Sequence, residues 1–125
     1  MRRACPSRAG LRRSRFRAAD AEDLARFLCA CAPQARGTTA GALLAAEEGP
    51  QRVGTFLLRR QGAIIACLVV DECEEDGQRV AVLASAVVRA AADRALLWRE
   101  LVVPLVRVFS WGAYRRVRFA EIFDV

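Results

Sequence analysis

The sequence contains no lysine and no histidine, and all 20 of its basic residues are arginine. Without histidine there can be no Ser–His–Asp or Cys–His pair and no imidazole metal ligand. Without lysine there can be no Schiff base and no phosphate-binding lysine of the P-loop kind. Any catalysis therefore has to use carboxylates, thiols, tyrosine, hydroxyl groups or bound water, which excludes most hydrolase mechanisms.

Long apolar runs and regularly spaced cysteines are also missing. The longest apolar run, residues 63–70, is far shorter than the roughly 20 residues that span a bilayer, so no transmembrane segment is predicted. The cysteines are odd in number and irregularly spaced, which favours reduced thiols in the cytoplasm and no metal site. They are Cys5, Cys29, Cys31, Cys67 and Cys73. We interpret Cys29 and Cys31 as small, partly buried side chains.

Positive charge is concentrated at the start of the chain. Residues 1–17 hold seven arginines and no acid, whereas the remaining 13 arginines face 14 acidic residues. We interpret residues 1–14 as a flexible arginine-rich arm and residues 15–125 as one domain, because about 110 residues form a single core. The arm is interpreted as a solvated terminus. Attraction to nucleic acid or an anionic membrane is the weaker alternative, as is a transit peptide.

The first half of the domain predicts a strand and two helices. Residues 14–18 are expected to form a short edge strand with Phe16 facing inward. Asp20 is a candidate N-cap for a helix that ends before Pro33, because acidic residues fill its first turn. A second helix is expected to start at Gly37-Thr38-Thr39 and to stop at Gly49-Pro50.

Three strands in succession are predicted next. Residues 53–60 and 63–70 flank Gln61-Gly62, which is typical of a tight hairpin turn. An acidic connection, residues 71–77, ends in the turn pair Asp76-Gly77 and leads back into residues 79–88. We expect the acidic segment to be a solvated loop; attraction of a cationic substrate is the alternative.

The last third of the chain predicts a crossover unit. Residues 91–111 carry apolar side chains at helical spacing, and residues 114–123 return to a strand-like alternation. A helix between two strands places them parallel in one sheet, here with a V-shaped notch between them. Central strands that are apolar on both sides predict helices on both faces, so the fold class is α/β with order β-α-α-β-β-β-α-β. Pro104 should kink the last helix. The stripe of Trp98, Leu101, Val102, Leu105, Val106 and Phe109 should pack in the core or an interface.

This order and its landmarks resemble the Gcn5-related N-acetyltransferase (GNAT) family. Residues 16–23 are similar to the family's opening strand and acid-capped helix, and residues 56–70 to its central hairpin. Ala95-Leu96-Leu97 resembles the start of its cofactor-binding helix, and residues 116–119 the strand that follows. The resemblance covers residues 15–125.

The resemblance implies that acetyl-CoA binds where the fourth and fifth strands separate. The pantetheine arm would pair with the fourth strand, and the pyrophosphate would lie at a loop and a helix N-terminus. The implied cofactor-binding residues are Ser85, Ala86, Val87, Val88, Arg89, Arg94 and Ala95. Residues 89–94 lack the glycines of the family's phosphate loop and include Asp93, so Arg89 and Arg94 would bind phosphate through their side chains.

The family also continues beyond its fifth strand into a helix and a hairpin, which this sequence lacks. We therefore expect the last strand to be an open edge. Either a partner chain supplies the missing strands, or the sequence is a truncated or divergent member of the family. We favour pairing with a second copy, with Phe119, Ile122 and Phe123 near the contact.

Acyl transfer to an amine is the activity that the resemblance implies, on a small-molecule or peptide acceptor. Glu121 is the candidate general base. Tyr114, at a helix–strand junction, is expected to pack there and not to donate a proton. The alternative function is a non-catalytic scaffold derived from the same fold, acting through protein–protein contact or self-association.

Overall fold

The structure is a computed structural model that describes residues 10–120. Glu121, Ile122 and Phe123 lie outside the described residues, as do residues 1–9 of the predicted arm. Within the described part, the strands and longer helices follow the predicted order β-α-α-β-β-β-α-β. They are β1 (Leu11–Arg15), α1 (Ala21–Cys31), α2 (Ala40–Glu47), β2 (Arg52–Arg60), β3 (Ala63–Glu75), β4 (Gln78–Val88), α3 (Arg94–Leu97), a π-helical turn (Trp98–Val102), α4 (Val103–Trp111) and β5 (Arg116–Phe119).

The strands form one mixed sheet in the order β1-β2-β3-β4-β5. The first three pairings are antiparallel, and β4 pairs with β5 in parallel. The predicted crossover is thus confirmed: the helical segment that begins at Arg94 connects two adjacent parallel strands. The α/β fold class is confirmed with it.

Tight turns set the register of the central strands. Gln61 and Gly62 both have positive φ, at 50° and 87°, and Asp76 and Gly77 have φ of 54° and 75°. Two successive positive φ values are typical of the type I′ turn, whose twist matches that of the flanking strands. Both turns lie where the sequence predicts them.

The first strand starts earlier than predicted. It spans Leu11–Arg15 instead of residues 14–18, and it pairs with β2 from Leu11↔Arg60 to Arg15↔Phe56. Residues 11–14 therefore belong to the sheet and not to the arm. Phe16 follows the strand and is buried, as expected.

The acidic segment is not a solvated loop. Residues 71–75 extend β3 and pair with β4 as far as Glu75↔Gln78. Acidic residues have low strand propensity, but arginines on other strands of the sheet compensate for it. Arg52 pairs with Asp71, Arg79 with Glu72, and Arg116 and Arg118 with Glu75.

Helices cover both faces of the sheet, as the doubly apolar strands predict. On one face, the helical segment from Arg94 to Trp111 packs on a cluster that includes Leu58, Leu68, Leu83, Leu97 and Val102. On the other face, α1 and the flanking segment at Phe16 pack on β2 and β3, in a cluster that includes Phe16, Leu24, Phe27, Leu57 and Cys67.

Pro104 changes the form of the long helical segment. A π-helical turn, Trp98–Val102, precedes it, and Pro104 lies in the first turn of α4. Because proline has no N–H, the carbonyl of Glu100 loses its usual helical donor. The Arg13 guanidinium of β1 donates to that carbonyl at 3.5 Å. The predicted stripe packs in the core, with Leu101, Val102 and Phe109 buried. No helix of the described residues combines the length and apolarity needed to cross a bilayer.

Candidate functional site

The two parallel strands separate part of the way along β4. Strand β5 pairs only with residues 80–83 of β4, and its last pair is Leu83↔Phe119. Beyond Leu83, β4 continues to Val88 and has no β5 partner within residues 10–120. The pairing of β3 with β4 skips Ala84, between Val70↔Leu83 and Val69↔Ser85. This bulge increases the local twist at the point of separation.

Backbone groups of the unpaired stretch face the notch. The amide of Arg89 donates to the carbonyl of Ile65 at 2.8 Å, so the groups of Arg89 point toward β3. Successive residues of an antiparallel strand alternate in direction. Val87 therefore also bonds to β3, whereas the N–H and C=O groups of Ala86 and Val88 point to the open side. An extended ligand could pair with them as an additional strand does.

A cavity of about 540 Å³ adjoins this stretch on the face covered by α1 and α2. Ser85, Ala86 and Val87 of β4 form one wall. Apolar side chains from both helices form much of the rest, among them Leu24, Leu28, Leu43 and Ala46. The size lies within the range typical of small-molecule sites.

A smaller cavity of about 220 Å³ continues toward the start of α3. It is lined by Ala86, Val87, Val88 and Arg94, together with the segment that follows α1. Since Ala86 and Val87 line both cavities, the two share one stretch of β4. The structure thus brings five of the predicted cofactor-binding residues together, from Ser85 to Val88 and Arg94.

The other two predicted residues lie elsewhere. Arg89 lines a shallow depression between α1 and the start of β3. Ala95 is exposed, in the first turn of α3.

Asp93 lies at the N-terminus of α3 and is 5% exposed. Its Oδ2 atom is 3.7 Å from Nε of Arg89, and this buried oxygen accepts no hydrogen bond. A carboxylate at a helix N-terminus is favoured by the helix dipole. The same carboxylate would repel a phosphate bound there, and it partly neutralises Arg89.

The thiol of Cys67 is part of the lining of the larger cavity. Burial is the main cause that raises its pKa to about 12. The thiol is therefore protonated at neutral pH and contributes an apolar surface. Cys67 is unsuited to form a covalent acyl intermediate.

A hydrogen-bonded group that the sequence analysis missed forms the polar wall of this cavity. Glu47, at the end of α2, accepts hydrogen bonds from the amide of Thr55 at 2.9 Å and from its hydroxyl at 2.7 Å. Arg52 donates to Glu47 at 3.0 Å and to Asp71 at 2.7 Å. The only signal in the sequence is Thr55, a polar residue within the apolar middle of β2.

Tyr114 lies at the other end of β4 from the notch, just before β5. Its hydroxyl donates to Glu72 at 2.6 Å, and its ring meets Phe109 edge-on at 5.5 Å. The hydrogen bond from Tyr114, followed by that from Arg79, lowers the pKa of Glu72. Burial and the bond to Glu72 raise the pKa of Tyr114. Tyr114 therefore packs at the junction, as predicted, and its hydrogen bond to Glu72 also clamps the start of β5 to β3.

Glu121, the candidate base, lies outside the described residues, after the end of β5. The last described contact on that side joins the amide of Ala120 to the carbonyl of Leu83 at 3.0 Å.

This chain has the fold of the GNAT acetyltransferases, which confirms the predicted resemblance at the level of fold. A GNAT-family acetyltransferase from Staphylococcus aureus superposes with a TM-score of 0.69 at 12% identity, over 90% of this chain and 87% of that chain. Ribosomal-protein-alanine N-acetyltransferase from Brucella melitensis gives a TM-score of 0.66 at 12% identity, over 90% and 82%.

An aminoglycoside N-acetyltransferase in complex with CoA gives a TM-score of 0.65 at 13% identity, over 94% of this chain and 81% of that chain. No protein-family sequence model matches the chain, and a search of curated proteins finds no match. The likeness is therefore one of three-dimensional structure.

Proposed function

We propose that this protein is an acyltransferase that binds acetyl-CoA in the notch and transfers the acyl group to an amine. The observation that carries the proposal is the stretch of β4 beyond Leu83, which has no β5 partner within residues 10–120. There, Ala86 and Val88 lie beside two cavities that share lining residues. A structural neighbour bound to CoA supports the same ligand class.

The residues present fit the pantetheine arm better than the phosphates. Ala86 and Val88 would pair with the arm through their backbone groups. Arg94 would bind the pyrophosphate with its side chain, since residues 89–94 offer no glycine and Asp93 adds negative charge. The Arg89 side chain could bind phosphate only after turning away from Asp93.

Bound acetyl-CoA would supply a thioester: the amine nitrogen forms a bond to the acyl carbon, the carbon–sulfur bond breaks, and the released thiolate takes up a proton. The residues of this chain would position the two reactants. Glu121 would accept the proton that the amine loses. The acceptor would lie in the larger cavity, which shares Ser85, Ala86 and Val87 with the notch. The proposed setting is the cytoplasm.

A thermal-shift and calorimetric titration with acetyl-CoA and desulfo-CoA tests the proposal. Ligand at a hundred times its dissociation constant should stabilise the fold by about 2.7 kcal/mol. No stabilisation and no heat at millimolar ligand would exclude the cofactor. In the Glu121→Gln variant, we expect turnover to fall about 100-fold while acetyl-CoA affinity stays unchanged.

A second candidate is a non-catalytic scaffold that acts by self-association. The buried carboxylate of Asp93 at the proposed phosphate site favours it. A second copy would pair with the outer edge of β5, where Phe119 is 43% exposed. Size-exclusion chromatography with light scattering tests this candidate: a dimer without CoA binding supports it, and a strict monomer at high concentration contradicts it.

A further inference from the structure

The larger cavity combines an apolar lining with a few polar side chains. Apart from its apolar wall, it is lined by Gln34, Arg52, Thr55 and Ser85. No acidic residue is among the described residues that line it. A site that binds several ammonium groups needs carboxylates to replace the water that those groups lose.

The nearest carboxylates of the polar wall are already engaged. Glu47 accepts three hydrogen bonds from Thr55 and Arg52, and its side chain is 16% exposed. Asp71 accepts from Nε of Arg52 at 2.7 Å. Arg52 and Thr55 line the cavity, whereas these two carboxylates do not. A ligand in the cavity therefore contacts hydrogen-bond donors of the network and not its carboxylates.

The apolar part of the cavity suits a ring or a short alkyl group. Leu24 and Leu28 of α1 face Leu43 and Ala46 of α2 across it, and the neutral thiol of Cys67 forms part of its floor on β3. Burying an apolar group of ligand gains about 25 cal/mol per Å². The body of the acceptor would lie here, and its amino group would lie toward Ser85 on β4.

We infer that the acceptor is an amine with an apolar body and a single amino group, and not a polycation. This inference rests on the proposed function, because it concerns the acceptor side of the same site. An amino group that enters an apolar cavity without a carboxylate partner loses its proton more easily, since burial disfavours the charged form. The cavity would thus favour the neutral, nucleophilic form of the amine.

The test is a calorimetric titration of the whole chain, alone and saturated with CoA, with tryptamine and with spermine. Tryptamine carries one amine on an aromatic body, whereas spermine carries four amines and no ring. We expect tryptamine to bind at least tenfold more tightly than spermine. Equal binding, or tighter binding of spermine, would overturn the inference.

Two adjacent alanines of α2 provide a matched pair of variants. Both are exposed, but Ala46 is among the residues that line the cavity and Ala45 is not. We expect Ala46→Trp to weaken tryptamine binding at least tenfold and Ala45→Trp to leave it unchanged. If Ala46→Trp does not fold, Ala35→Trp fills the same cavity from the segment between α1 and α2.

The same titrations separate this inference from the proposed function. CoA that binds while tryptamine does not would refute the acceptor class and leave the cofactor proposal standing. Absence of CoA binding would refute the proposed function itself. Tryptamine binding that Ala46→Trp and Ala45→Trp weaken equally would show that the ligand does not occupy this cavity.

Discussion

Phe119 is the last residue of β5 that pairs with β4, and its partner is Leu83. The Phe119 ring also lies 5.5 Å from that of Trp98, in the helical segment that connects the two strands. Within residues 10–120, β5 thus pairs with β4 only as far as Leu83, five residues before β4 ends at Val88. The notch follows from this difference in length together with the bulge at Ala84.

Arg94 and Asp93 should have opposite effects on CoA affinity. Arg94→Gln removes a charge-assisted phosphate contact and should weaken binding about tenfold. Asp93→Asn removes a repelling charge and should strengthen binding a few fold. Calorimetry at constant ionic strength measures both, with Arg107→Gln, exposed on α4, as the control. Pantetheine, which lacks the pyrophosphate, should bind the native protein and the three variants with equal affinity. If a variant changed the affinity for pantetheine, its effect on CoA would not be due to the pyrophosphate.

The buried Arg59 should be important for stability. Its guanidinium donates to Asp20 at 2.9 Å, to Asp23 at 3.3 Å and to the carbonyl of Gly62 at 2.7 Å. Arg59→Met leaves these acceptors without their donor. The carboxylates are partly exposed, so the cost should be about 2 kcal/mol. In urea unfolding, Arg26→Met, which removes the exposed pair with Asp23, should cost less than about 0.5 kcal/mol. If both variants lost the same free energy of unfolding, the burial of Arg59 would not explain its importance.

The clamp between Tyr114 and Glu72 should make stability depend on pH in the acid range. The pKa of Glu72 is lowered in the folded state from its ordinary 4.5. Its ionised form thus stabilises the fold above that value, and this contribution is lost as the pH falls through the folded-state pKa.

Tyr114→Phe removes the largest cause of that pKa shift and keeps the ring against Phe109. It should lower the free energy of unfolding by less than about 1 kcal/mol at pH 7, because Glu72 is only partly buried. The difference from the native protein should shrink at pH 3. Urea unfolding at both pH values measures this difference in stability. A difference that is larger at pH 3 than at pH 7 would contradict a lowered pKa of Glu72 in the folded state.

Cys67 should resist alkylation in the folded protein. With a pKa of about 12, only about one molecule in 10⁴ carries the thiolate at pH 8. Iodoacetamide labelling followed by mass spectrometry should modify the half-buried Cys29 before Cys67. In denaturant both should react. Labelling of Cys67 as fast as Cys29 in the folded state would contradict its burial.

The sequence was sufficient to predict the order of the elements, because turn residues and apolar periodicity are local signals. Gln61-Gly62 and Asp76-Gly77 fixed two turns, and the doubly apolar strands indicated helices on both faces. The sequence did not predict that residues 71–75 extend β3, because these acidic residues have low strand propensity. Ion pairs with arginines up to 43 positions away in the chain stabilise the strand there. The start of β1 was placed too late because Leu11, Arg12 and Arg13 pair with residues 58–60 of β2, a contact with a distant part of the chain.

The candidate site was predictable only in part. That Ser85 to Val88 lie near Arg94 was predictable, because the family resemblance places the end of β4 beside the start of the crossover helix. Their role in cofactor binding stays a prediction. The cavity beside them was not found, since α1, α2, β2 and β3 bring its walls together from distant parts of the chain. The bond between Glu47 and Thr55, for example, depends on how α2 packs against β2.

Amide hydrogen exchange of β4, with and without CoA, tests the central claim most directly. The amides of Ala86 and Val88 should exchange rapidly in the free protein and become protected when CoA binds. Val87, bonded to β3, should exchange slowly in both states and serves as the internal control. Slow exchange of Ala86 and Val88 in the free protein, or no added protection at millimolar CoA, would contradict the account.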